Sequence, residues 1–74
     1  MKVNVKLFAS LREGRFDVAS VEVREGGTIA DAIAAAGLRP GEATVIFRNA
    51  RHAEPAEPLA EGDSLSLFPP VGGG

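Results

Sequence analysis

Apolar and polar positions alternate from the start of the chain: Val3, Val5 and Leu7 interleave with Lys2, Asn4 and Lys6. A period of two belongs to a strand with one buried face, so this segment predicts the first strand. A connection through Arg12-Glu13-Gly14-Arg15 and Phe16 leads to a second alternating run, Val21 and Val23 among Ser20, Glu22 and Arg24, closed by Gly26-Gly27. The two runs predict an antiparallel hairpin. Beyond them Ile29, Ala32, Ile33 and Ala36 recur at helical spacing up to Gly37, and Thr28 with Asp31 three residues on makes a capping box in which Asp replaces the usual Glu. One short helix is expected there. After the breaker Leu38-Arg39-Pro40-Gly41, the β-branched and aromatic run Thr44-Val45-Ile46-Phe47-Arg48 predicts a third strand, and Asn49-Ala50 a turn. Pro55 and Pro58 remove backbone donors, so any strand near His52 is expected to be short and at an edge. Leu59 reads as a core anchor and Glu61-Gly62-Asp63 as a turn. Leu65 and Leu67 alternate with Ser64 and Ser66 in a last strand that Pro69-Pro70 terminates.

The order is strand, strand, helix, strand, short edge element, strand. A single helix must bury its apolar stripe, and the simplest solution is a two-layer α+β domain in which the helix lies across one face of a mixed four- to five-stranded sheet. This is the β-grasp arrangement, with the first and last strands side by side in the middle. Residues 1–70 are expected to form the domain and residues 71–74 a flexible glycine tail. Composition sharpens the demand for regularity. The chain has 74 residues and is 45% hydrophobic, but twelve of those apolar residues are alanine, and burial at this size is marginal.

Most catalytic chemistry is excluded by what is missing. There is no cysteine, hence no disulfide framework, thiolate metal site or cysteine nucleophile. Charges at Lys2 and Lys6 interrupt the stretch a signal peptide needs, and the longest strictly apolar run is Ala32–Ala36, so a soluble cytoplasmic protein is expected. A net charge of −2 with both signs dispersed offers neither a basic stripe for nucleic acid nor a basic face for membrane. His52 has no second histidine to work with, and reads as a surface residue with no metal role. Glu54, Glu57 and Glu61 are separated by Pro55 and Pro58, which prevents a regular helix from presenting them together; a solvated acidic loop is the simpler account. Gly26-Gly27 lacks the Lys-Ser or Lys-Thr of a phosphate loop, so any ATP must be bound by a partner.

The remaining candidate is the end of the sequence, Val71-Gly72-Gly73-Gly74 after two prolines. A frayed terminus is the plain alternative. Against it, Pro69-Pro70 stiffens the exit from the sheet, and three residues without side chains make a probe thin enough for a narrow channel. The six steps from Phe68 to Gly74 span about 20 Å at roughly 3.3–3.6 Å per residue. A terminal carboxylate, ionised at neutral pH, can attack the α-phosphate of an ATP held elsewhere, and the acyl-adenylate then accepts a sulfur or amine nucleophile. Alternation also supplies a docking surface. If Leu7 and Leu67 face the helix, Phe8 and Phe68 point to the opposite face as neighbours, and Ile46 joins them if Val45 and Phe47 point inward.

These residues resemble the MoaD/ThiS sulfur carriers, ubiquitin-like β-grasp proteins. The resemblance is strongest over Pro58-Leu59-Ala60-Glu61-Gly62-Asp63 and over Leu67-Phe68-Pro69-Pro70-Val71-Gly72-Gly73-Gly74, which is similar to the ending of the small subunit of molybdopterin synthase. Leu7-Phe8-Ala9-Ser10-Leu11-Arg12-Glu13 resembles the family's first strand and following turn, whereas Asn49-Ala50 departs from the Asn-Gly turn often found there. The resemblance implies a co-substrate without an active site of its own. In that reading Gly74, with Gly73 before it, is the site of adenylation and thiocarboxylate formation. Phe8, Phe68, Pro69, Pro70, Val71 and Gly72 contact partners. No cofactor is bound; ATP and magnesium come with an E1-like adenylating enzyme of the MoeB/ThiF type. The acceptor is the large molybdopterin synthase subunit, of the MoaE type, or an equivalent enzyme, and the chain alone is expected to be a monomer. Carriage for thiamine thiazole or another sulfur transfer, or ubiquitin-like protein modification, remain open alternatives, as does a binding module with an inert tail.

Overall fold

The computed structural model describes residues 1–70. Five strands, β1 (Lys2–Leu7), β2 (Val18–Glu22), β3 (Val45–Arg48), β4 (Arg51–His52) and β5 (Ser64–Phe68), form one sheet in the order β2-β1-β5-β3-β4. β1 and β5 run parallel at its centre, and the other pairings are antiparallel. Among the described residues one α-helix, α1 (Ile29–Ala35), covers one face. The expected β-grasp is the observed fold.

The core follows the alternation. Val3, Val5 and Leu7 of β1 and Leu65 and Leu67 of β5 are at most 2% exposed and form one cluster with Ile29, Ala32, Ile33 and Ala36 from the helical segment. Each fully buried Val, Leu or Ile contributes roughly 1.5–3 kcal/mol relative to exposure. Leu59 also lies in this cluster, as its anchoring role requires.

Local chemistry closes the seven-residue helix at both ends. At the N-terminus the capping box is complete: Thr28 N–H donates to Asp31 Oδ2 (2.9 Å), and Asp31 N–H donates to Thr28 Oγ1 (3.4 Å). At the C-terminus Gly37 adopts φ +89°, Gly37 N–H donates to the Ala34 carbonyl (3.0 Å) and Leu38 N–H to the Ile33 carbonyl (3.2 Å). This is a Schellman motif, and the buried pair Ile33 and Leu38 occupies its two hydrophobic positions. Gly27 is required by space: a Cβ there would fall 2.5 Å from Val23 Cγ1 and 2.9 Å from the Arg24 carbonyl oxygen.

The irregular segment around Pro55 and Pro58 has a structural task. Carbonyls of Pro55 and Glu57 accept the N–H groups of Ala30 and Ile29 (2.9 and 3.0 Å), two donors that the first turn of a helix cannot satisfy internally. The prolines lack donors, but here the segment serves as an acceptor.

Two expectations need correction. Ile46 does not join the open face; it is 2% exposed in the core. Register decides this, because β3 pairs Ile46 with the helix-facing Leu67, and directly paired residues share a face. Val45 and Phe47 therefore point outward. The connection after β1 is also more structured than a simple turn: Ala9–Arg12 form a short 3₁₀ helix that buries Leu11.

Candidate functional site

The open side of the sheet carries an aromatic cluster at its β5 C-terminal end. Phe8 follows β1 and Phe68 closes β5; because the strands are parallel and central, both rings arrive at the same end and stack with centroids 4.3 Å apart and planes 13° from parallel. Phe47 on β3 meets Phe68 edge-on at 6.0 Å, and His52 on β4 meets Phe47 edge-on at 5.9 Å. Each Phe is half-buried. The rings lie on the side away from the helix and meet one another, which is the character of an interaction surface. Sequence reasoning found Phe8 and Phe68 but missed Phe47. An apolar run such as Val45-Ile46-Phe47 gives either parity an apolar inner face, so only pairing with β5 selects one.

Backbone bonds fix this end of the sheet. Phe8 N–H donates to the Leu67 carbonyl (3.1 Å) and Thr44 N–H to the Phe68 carbonyl (2.9 Å). Pro69 is half-buried and Pro70 exposed, and both line a cleft of about 360 Å³ with Ser10, Leu11, Arg15 and Glu42. Beside the cleft Arg15 Nη2 donates to both oxygens of Glu42 (2.9 and 3.1 Å) and Arg15 Nη1 to the Leu11 carbonyl (3.2 Å). Arg39 N–H and the Arg15 guanidinium hold the Glu42 carboxyl below the usual carboxylate range. Two loops flanking the tail root are thus clasped together. Val71, Gly72, Gly73 and Gly74 lie outside the described residues.

The opposite end of β5 is a structural network. Asn49 Nδ2 donates to Asp63 Oδ1 (3.0 Å), and Ser64 N–H donates to Asn49 Oδ1 (3.0 Å). Ala60 N–H donates to Asp63 Oδ2 (2.8 Å). Asn49 and then Ala60 lower the Asp63 pKa, with Arg48 adding to the effect. His52 is exposed beside Glu54 (3.9 Å), and among the described residues no group of three or more histidine and carboxylate side chains is arranged to hold a metal. Among the same residues no helix is long and apolar enough to cross a membrane.

A five-stranded mixed sheet with parallel central strands and one covering helix defines a ubiquitin-like β-grasp protein. By its sequence the chain belongs to the ThiS family of ubiquitin-like sulfur carriers, whose model matches residues 5–74. Among solved structures, SAMP1 of Haloferax volcanii is similar over the full length of both chains, with 31% identity and a TM-score of 0.80. A Pyrococcus furiosus protein assigned as molybdopterin converting factor subunit 1 is 32% identical over 96% of this chain and 99% of its own, with a TM-score of 0.75. Subunit 1 in the complex of subunits 1 and 2 of the molybdopterin-converting factor from Helicobacter pylori is 25% identical over the full length of both, with a TM-score of 0.66. Curated protein sequences gave no match.

Proposed function

We propose that the chain carries sulfur as a thiocarboxylate at Gly74 and delivers it to the synthesis of molybdopterin. An oxygen of the Gly74 carboxylate attacks the α-phosphorus of ATP on an E1-like enzyme and releases pyrophosphate. A sulfur nucleophile then attacks the acyl carbon, and AMP leaves with the bonding pair. The tail next enters the active site of a larger synthase subunit, where the sulfur is transferred. The chain contributes no catalytic group beyond its own carbonyl. The observation that carries this reading is the family match running through residue 74, which takes in the glycine segment. Relatives described as molybdopterin converting factor subunit 1, one of them in a complex with subunit 2, support the pathway and the synthase-type partner. The stacked pair Phe8 and Phe68 at the root of the Pro69-Pro70 stem supplies a surface on which such partners can hold the tail.

Mass spectrometry of the chain purified from its own cells tests the proposal: an oxygen-to-sulfur mass increase at the C-terminal peptide is expected. Deletion of Gly74 is expected to abolish transfer, because a reacting centre misplaced by even ~1 Å can cost ~100-fold. Retained transfer overturns the reading. Ubiquitin-like modification of other proteins is the second reading, favoured by likeness to a Haloferax volcanii structure described as small archaeal modifier protein 1. Conjugates of higher mass without any thiocarboxylate form would establish it instead.

A further inference from the structure

One row of side chains crosses the whole open face beside the aromatic stack. Lys6 on β1 pairs with Val18 on β2 and Ser66 on β5, Ser66 pairs with Phe47 on β3, and Phe47 pairs with His52 on β4. The Lys6 ammonium sits 5.3 Å from the centroid of the Phe8 ring. Among the described residues no carboxylate lies within ion-pair distance of it. Glu22, on the same face, stands opposite Lys2, four residues or about 13 Å along the strand from Lys6. Glu54 lies beside His52 at the far edge, and Asp17 lies beside Arg12.

A partner that covers Phe8, Phe68 and Phe47 also desolvates the Lys6 ammonium, because the ammonium rests on one of those rings. A buried cation is strongly unfavourable unless an anion meets it. Within the row itself, a second copy of this chain offers no carboxylate to meet Lys6. We propose that this face docks an enzyme surface that is apolar where it meets the three rings and bears an Asp or Glu carboxylate opposite Lys6. Lys6 thereby selects the partner. The proposal rests on the carrier reading for the nature of the partner, an adenylating enzyme.

The E1-like adenylating enzyme from the same genome is the probe, and its affinity is measured for the wild-type chain, Lys6→Met and Lys6→Glu at low and high salt. Lys6→Met keeps an apolar stem and is expected to weaken binding about tenfold and to remove most of the salt dependence; Lys6→Glu is expected to weaken it by ~100-fold. Melting temperatures verify that the exposed substitutions leave the fold intact, and if Lys6→Glu is destabilised, the salt response of Lys6→Met decides. Wild-type affinity in Lys6→Glu, or an unchanged salt response in Lys6→Met, overturns the inference even where the wild-type chain gains sulfur mass. Conversely, Lys6-dependent, salt-sensitive binding by a chain that never gains sulfur overturns the carrier reading and leaves this one standing. A wild-type chain that does not bind the enzyme overturns the inference.

Discussion

Asn49 and Ala50 both take positive φ, +51° and +69°, in the two-residue turn that joins β3 to β4. Such a turn favours Asn followed by Gly, because a Cβ in the left-handed region crowds the following carbonyl oxygen. Asn49 suits its position and is further held by Asp63 and Ser64, whereas Ala50 is strained and exposed. Ala50→Gly is therefore expected to stabilise the domain by about 0.5–1 kcal/mol despite the extra chain entropy of glycine. For a domain of this size that corresponds to a rise in melting temperature of roughly 2–8 °C, read by calorimetry. The departure from an Asn-Gly turn was visible in the sequence. Its cost became visible only with the backbone angles.

At the scale of elements, α1 is too short to persist alone, since isolated helices below about 12–15 residues are marginal in water. Its caps and its packing on β1 and β5 hold it. Thr28→Ala removes the acceptor for Asp31 N–H while leaving Asp31 Oδ2 on the residue-28 N–H. A loss of about 1 kcal/mol is expected, seen as a lower urea midpoint with an unchanged slope. The helix was legible in full, cap and Gly37 stop included, because its signals are local. The 3₁₀ helix Ala9–Arg12 was not, because its only core residue, Leu11, carries no periodicity. The stretch around Pro55 and Pro58 was read as a solvated acidic loop, yet its role as acceptor for the helix N-terminus depends on contacts across some 25 residues of chain.

For the whole molecule, acid is the natural challenge. Asp31, Glu42 and Asp63 all have pKa values below their ordinary ones: Asp31 through the Thr28 N–H and then Arg24, Glu42 through the Arg39 N–H and then Arg15, Asp63 through Asn49 and then Ala60. A depressed carboxylate binds fewer protons folded than unfolded. Its contribution is complete above the unfolded value, ~3.9 for Asp and ~4.3 for Glu, and is lost as pH falls through the lower folded value. Stability is expected to be nearly flat from about pH 7 to 5 with respect to these groups and to fall below about pH 4. Asp63→Asn should lower the melting temperature at neutral pH and make the acid limb shallower, as thermal melts across that range will test.

The sequence by itself determined the order of elements, the inward set Val3, Val5, Leu7, Leu65 and Leu67, and the helix with both stops, and it supplied the glycine ending from which the carrier proposal starts. Those follow from period, capping and backbone stiffness, all properties of neighbouring residues. Tertiary structure decided which side of β3 faces the helix and so put Phe47, in place of Ile46, beside Phe68. It also set Lys6 over Phe8 and the Arg15–Glu42 clasp beside the tail root. Strand parity and ion pairing between distant segments are fixed by register across the sheet, and register is a relation between strands that no single strand encodes.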